Sequence, residues 1–198
     1  MSKYHGPKLK IIKKLGNLPG FARTKANKKN TPAQKIKKLS EFAVRLQEKQ
    51  KLHYNYGINE KQLLNYIKQA KKFKGSTGIA LLQLLEMRLD NVIFRSGMAP
   101  TIPAARQIVN HRHILVNNHI VNIASFQCRP GDIISIKNNE KSKILIRNNL
   151  ISPGLLNIPP HLSVNKDKLT IEINSIIDRN WVALDVNELL IVEYYSKI

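Results

Sequence analysis

Residues 88–136 read RLDNVIFRSGMAPTIPAARQIVNHRHILVNNHIVNIASFQCRPGDIISI, and the texture of the chain changes inside this stretch. Upstream of Gly97, Leu82, Leu85, Leu89 and Val92 recur at helical spacing, which predicts one helix starting after the break Gly75-Ser76-Thr77-Gly78. Beyond it, Thr101 suits the N-cap of a short helix that carries Ile102, Ala105 and Ile108 and ends near His111. Ile114-Leu115-Val116 and His119-Ile120-Val121 then flank Asn117-Asn118, a pair that tolerates positive φ and so predicts a hairpin turn. Pro130-Gly131 marks a turn before the strand Ile133–Ile136. Two short helices followed by strands make an α+β module. Its helices would set Arg88, Arg95, Arg106, Gln107, Arg112 and His113 around a small sheet, a platform for phosphate and 2′-hydroxyl contacts. In the competing reading Arg88 and Asp90 pair with neighbours to orient the helices, and Asp90 and Asn91 are assigned mostly to that role.

Downstream, Leu162–Val164 and Leu169–Ile173 also read as strands, whereas residues 138–160 form a polar, then Pro-containing connection with no legible structure. The closing run Glu188–Tyr195 fits strand or helix; Asp185 with Glu188 resembles a capping box and favours helix. Upstream, Ile36, Leu39, Phe42, Ala43 and Leu46 predict a helix between Pro32 and His53, and a second runs from an Asn59 N-cap to Phe73. Lys68, Lys71, Lys72 and Lys74 crowd its C-terminal end, where positive charge suits the helix dipole. Residues 1–38 hold twelve cations and no acid, and their Gly and Pro predict an extended basic arm that awaits phosphates. Leu9, Ile11, Ile12, Leu15, Leu18 and Phe21 between the charges mark an arm that docks rather than a solvated tail.

The whole chain of 198 residues carries 33 Lys and Arg against 13 Asp and Glu, a net charge of +20 that calls for a polyanionic partner. Hydrophobic residues form 42% of it, enough for a core, so a disordered polycation is excluded. No apolar run is long enough to span a membrane, and the start lacks the apolar core of a signal peptide. The 24 Lys, 25 Ile and 20 Asn have A- and T-rich codons, the mark of an AT-rich bacterial or organellar genome. The single cysteine, Cys128, excludes an intrachain disulfide and reads as a small buried residue. Lys74-Gly75-Ser76-Thr77-Gly78 lacks the order of a phosphate loop, and the histidines include no HExxH. His111 and His113 have no carboxylate close in sequence, so no metal site, cofactor or catalytic residue is assigned.

The run 88–136 resembles the RNA-binding module named after the fourth protein of the small ribosomal subunit. Residues 4–20, 48–78 and 187–198 resemble that ribosomal protein family as well, and IIDRNWVALDVNELLIVEYYS, residues 176–196, is similar to its plastid (chloroplast) form. The resemblance implies a basic rRNA-binding N-terminal arm over 1–40, a helical domain from 41–88 and 178–198, and the RNA-binding domain inserted at 89–177. It implies a non-enzymatic constituent of the small ribosomal subunit, in the plastid stroma, that binds small-subunit rRNA and nucleates assembly of the body. It also implies contact with the fifth small-subunit protein, a share in translational accuracy, and proximity to mRNA where it enters the subunit, with no membrane partner.

Residue roles follow where the motifs match. Lys8, Lys10, Lys13 and Lys14 in the arm, and Lys71, Lys72 and Lys74 after the second helix, are candidate RNA contacts. So are Arg88, Arg95, Arg106, Gln107, Arg112 and His113 in the module, while Arg45, Lys49 and Lys51 fall nearest the messenger path. The N-terminal zinc-binding cysteines of some bacterial members have no counterpart before Cys128, and Arg112 stands where the family often has Gly between the two histidines. An RNA-modifying or tRNA-charging enzyme bearing the same module would need a catalytic domain for which little chain remains. A membrane-surface or DNA-packaging protein accounts for the charge but not for the patterned module.

Overall fold

The structure, a computed structural model, describes residues 4, 6–22, 40–151 and 158–196. The expected helical positions Ile36 and Leu39 lie outside the described residues. The chain divides into two compact units, Met1–Leu81 with Ala183–Ile198, and Leu82–Val182.

In the first unit, α1 (Lys8–Leu15) corrects the expectation of a wholly extended arm. Ile12 and Leu15 lie on one face of KLKIIKKL, so the helix buries them while its lysines stay in water. Leu18 and Phe21 are buried behind it, and the Asn55 side chain accepts a hydrogen bond from Gly20 N at 2.9 Å. This part of the arm therefore docks through its apolar residues. Ser40 caps α2 (Glu41–Tyr56), which ends at Gly57 in the left-handed conformation, φ 59°. Its buried residues are Glu48, Leu52, Asn55 and Tyr56; Phe42, expected in the core, is exposed and lies against Tyr194. Asn59 caps α3 (Glu60–Ala70) by a reciprocal capping box with Gln62, at 2.8 and 3.1 Å. Leu63, Ile67 and Ala70 form its buried stripe.

The C-terminal run is helical, α8 (Glu188–Ser196), and packs on α2. Its first turn is capped by Asn187, which accepts from Leu189 N at 3.1 Å, and not by Asp185 as the sequence pattern indicated. Gly78 belongs to α4 (Thr77–Glu86) rather than to the break before it. A Cβ there would stand 2.5 Å from Glu188 Cγ and 2.8 Å from its Cβ, so a bare backbone is what lets this turn approach α8.

In the second unit, the single expected helix is two. α4 stops at Glu86 and α5 spans Leu89–Arg95, because Met87 and Arg88 leave the helix to pair with another segment. Met87 O accepts from Cys128 N at 2.9 Å, and Leu89 N and Asp90 N donate to Phe126 O and Ala124 O. The segment α6 (Ile102–Asn110) is capped by Thr101 as expected and packs on α5. The strands β1 (Ile114–Val116), β2 (His119–Ile120), β3 (Ile133–Ile136), β4 (Leu162–Asn165) and β5 (Thr170–Ile173) make one antiparallel sheet ordered β2-β1-β3-β5-β4. Its register sets Val116, Ile134 and Ile171 in adjacent rows of the buried face. Asn117 and Asn118, at φ 49° and 65°, form the β1–β2 turn. Within the connection that the sequence left without structure lies α7 (Glu140–Ile151), whose first turn is fastened by the Asn139 side chain accepting from Lys141 N at 3.1 Å. Ser142 and Ile146 are its buried residues. Among the described residues no helix is long and apolar enough to cross a membrane.

Helix propensity alone favours Gly78→Ala by about 1 kcal/mol. Since the added methyl collides with α8, the substitution is expected to lower the denaturant midpoint; an unchanged or raised midpoint would show that the two helices separate freely.

Candidate nucleic-acid interface

Arg88, the residue that interrupts the helix, turns its side chain inward. Its Nε donates to Asp90 Oδ1 at 3.0 Å and its Nη2 to Oδ2 at 2.7 Å. From α6, Arg106 adds Nη2 and Nε bonds to the same Oδ2 at 2.7 and 3.2 Å. Asp90 is fully buried and Arg88 is 2% exposed. Two cations on one carboxylate leave a net positive charge, and the Arg106 side chain, 16% exposed, is the member that reaches the surface. Arg95 is buried too, 3.7 Å from Glu86 and donating to Trp181 O. Asn91 Nδ2 completes this second cluster, donating to Glu86 Oε2 at 2.6 Å. Arg88 and Arg95 therefore lie inside the unit, each beside a buried carboxylate, and not on the outward platform that the sequence suggests. The sequence reading of Asp90 and Asn91 as orienting residues agrees with this geometry.

His161 lies buried in the same unit with no hydrogen-bond partner for Nδ1 among the described residues. Burial, with the charge of Arg95, pushes it down to about 4. Burial, then the charges of Asp132 and Asp90, push the Cys128 thiol well above its ordinary range, so it stays an inert buried thiol.

Of the expected RNA contacts in this unit, Gln107 and Arg112 are exposed and His113 is half-buried. Arg112 holds φ 61° in the turn between α6 and β1, a conformation that costs a non-glycine residue about 1–2 kcal/mol. The turn expected of a glycine is therefore kept, with a cation at its tip. His113 Nδ1 lies 2.8 Å from Ser142 Oγ on α7, and His113 O accepts from Lys137 N. Burial, then His111 and Lys137, lower the basicity of its ring. The exposed Lys137 and Lys141 therefore join Arg112 at one edge, a group that sequence reasoning missed. The Asn139-Glu140 start of α7 was the available signal.

In the first unit, Lys8, Lys10, Lys13 and Lys14 are exposed on α1; Lys8 also reaches Phe21, 5.5 Å from its ring centroid. Arg45, Lys49 and Lys51 are all engaged. Arg45 binds Glu193 at 2.9 Å and Glu41 at 3.2 Å, Lys49 binds Glu60 at 2.8 Å, and Lys51 binds Glu48 at 2.6 Å. Burial works against ionisation of Glu60, yet hydrogen bonds from Lys49 and Tyr195 outweigh it and hold the carboxyl below its usual value. Lys71, Lys72 and Lys74 are exposed, and none is in an ion pair among the described residues. Nor do the described residues include a group of three or more His, Cys, Asp and Glu able to hold a metal.

Asp90→Ala strands two guanidiniums around an empty site and is expected to cost about 3–5 kcal/mol in urea unfolding; a loss below about 1 kcal/mol would refute the hub. For His161 the folded value lies below the unfolded ~6.5, so the unfolded chain takes the proton first. Stability is then level above about pH 6.5 and falls towards pH 4, by up to roughly 1.4 kcal/mol per unit. His161→Gln should flatten the profile in that window relative to the parent chain, and identical slopes would remove His161 as its cause.

Comparison with known proteins places this geometry. Residues 3–86 match the ribosomal protein S4/S9 N-terminal domain, and residues 87–134 match the S4 domain. The protein called small ribosomal subunit protein uS4c of Pyropia yezoensis is 59% identical, with all of both chains covered. Small ribosomal subunit protein uS4 of Trichodesmium erythraeum is 58% identical over 100% of this chain and 99% of its own, and uS4c of Cyanophora paradoxa is 58% identical over all of both. With both domains matched in order and relatives similar from end to end, the chain belongs to the S4 family of small-subunit ribosomal proteins.

Proposed function

We propose that the chain is a structural constituent of the plastid small ribosomal subunit that binds small-subunit rRNA directly and nucleates assembly of the body. The observation that carries this reading is the sorting of its cations. Those on α1, those at 71–74 and Arg112 stand in solvent with no ion pair among the described residues, whereas the arginines nearest the module's core are consumed by Asp90 and Glu86. A surface so charged is stabilised when phosphates displace its counterions. Membership in a family of ribosomal structural proteins leaves no enzymatic role.

The finer assignments are proposals of the same reading. The arm over 1–40 and the module over 89–177 hold rRNA, and the helical part, 41–88 with 178–198, meets the fifth small-subunit protein and influences accuracy. Arg45, Lys49 and Lys51 lie by the path where mRNA enters. The acids paired with Arg45 and Lys49 are exposed, Glu41 at 86%, Glu193 at 49% and Glu60 at 50%, and exposed pairs are worth at most ~1 kcal/mol, whereas Glu48, paired with Lys51, is buried. Phosphates can therefore exchange with the carboxylates on Arg45 and Lys49 at little cost, while Lys51 is held more firmly by Glu48.

Binding to a small-subunit rRNA fragment containing the multi-helix junction should keep a large preference over an unrelated structured RNA as salt rises. Equal affinity for both, erased by salt, would leave charge as the whole explanation. Changing Lys71 or Lys72 to Ala should each flatten the salt dependence by about 0.7–0.9 in log–log slope. Arg112→Gly relieves the left-handed backbone, so stability should hold or rise while affinity falls; unchanged affinity would remove Arg112 from the interface.

A further inference from the structure

Between α3 and α4 the residues Lys71-Lys72-Phe73-Lys74-Gly75-Ser76 are all exposed. Phe73 stands out among them. It is 57% exposed, and no ring or cation lies against it among the described residues, unlike Phe42 beside Tyr194 or Phe21 beneath Lys8. Its backbone is nonetheless fixed: Lys71 N, Lys72 N and Phe73 N donate to Ile67 O, Gln69 O and Ala70 O at 3.0, 3.0 and 3.2 Å. Gly75, at φ 108°, then turns the chain away, with open space where a side chain would be. The result is a phenyl ring presented to solvent on an anchored turn, bracketed by three ammonium groups that have no ion pair among the described residues.

We propose that Phe73 is a stacking platform for an unpaired nucleobase of the bound RNA, with Lys71, Lys72 and Lys74 holding the phosphates on either side of it. The proposal deepens the RNA-binding reading and rests on it. An aromatic face accepts any base, and the flanking charges supply the backbone contacts that such stacking needs. A protein partner would have to bring a hydrophobic pocket and several acids together, whereas RNA carries π-faces and phosphates at every step. Since the ring is already in water, its truncation removes nothing from the core.

Four full-length variants, F73A, F73L, F73Y and F73W, test this against the junction RNA, with thermal unfolding as the folding control. Stacking predicts that F73A and F73L both weaken binding, by roughly 5- to 150-fold, while F73Y and F73W keep it. F73L binding like the parent would overturn the proposal in favour of an apolar contact, and F73A binding like the parent would overturn it outright. The chain has one tryptophan, so combining F73W with W181F leaves the introduced indole as the sole one, and its emission should be quenched by RNA but not by heparin. Equal quenching by both polyanions would speak against a base on the ring. If the parent chain shows no preference for junction RNA, the ribosomal reading fails separately, and the emission experiment with single-stranded RNA still decides the role of Phe73.

Discussion

The second unit depends on one buried carboxylate. Asp90, in the first turn of α5, takes hydrogen bonds from Arg88 at the N-cap of that helix and from Arg106 on α6, so it ties the break before α5 to α6 at a single point. Burying an ion costs several kcal/mol unless its lone pairs are satisfied, and here two guanidinium forks satisfy them. The same departure of Met87 and Arg88 from the helix lets residues 124–128 pair with the chain, fixing the approach to the sheet. Remove the carboxylate and Arg88 is left buried without its acid, since an interior arginine tolerates burial only beside one.

Around that hub the positive charge is sorted by function. Residues 82–182 hold twelve cations and seven acids, and three of those cations are spent on Asp90 and Glu86. In the other unit the acids of α2, α3 and α8 clasp Arg45, Lys49 and Lys51, and Tyr195 donates to Glu60 in the same network. The cations left facing solvent include those of α1, the turn at 71–74, and the edge of Arg112, Lys137 and Lys141. A chain with a charge of +20 thus contains interior and surface arginines in opposite surroundings, which no count of Lys and Arg separates.

Local devices were legible. The Thr101 and Asn59 caps, the Asn117-Asn118 turn and the strand at Ile133 each act within a few residues, so their sequence signature is their cause. The amphipathic α1 was hidden by the glycines and prolines near it, although Ile12 and Leu15 carried the signal. Asn187 rather than Asp185 caps α8 because the helix starts immediately after Asn187, and the two candidate oxygens lie close together in sequence. The interruption at 87–88 had no local sign, since its cause lies far along the chain in the pairing of Arg88 with Gln127.

The sequence by itself determined the α+β class, the basic partner surface, the absence of disulfides and the family, because composition, periodicity and motif order survive without coordinates. Tertiary structure decided which cations are available. An arginine side chain looks the same in sequence whether it meets a phosphate or a buried aspartate; only the packing of α5 against α6 turned Arg88 inward and left Arg112 at the tip of its turn. It also decided that Phe73 faces solvent, because the buried stripe of α3 ends at Ala70 and the chain turns away before its apolar pattern does.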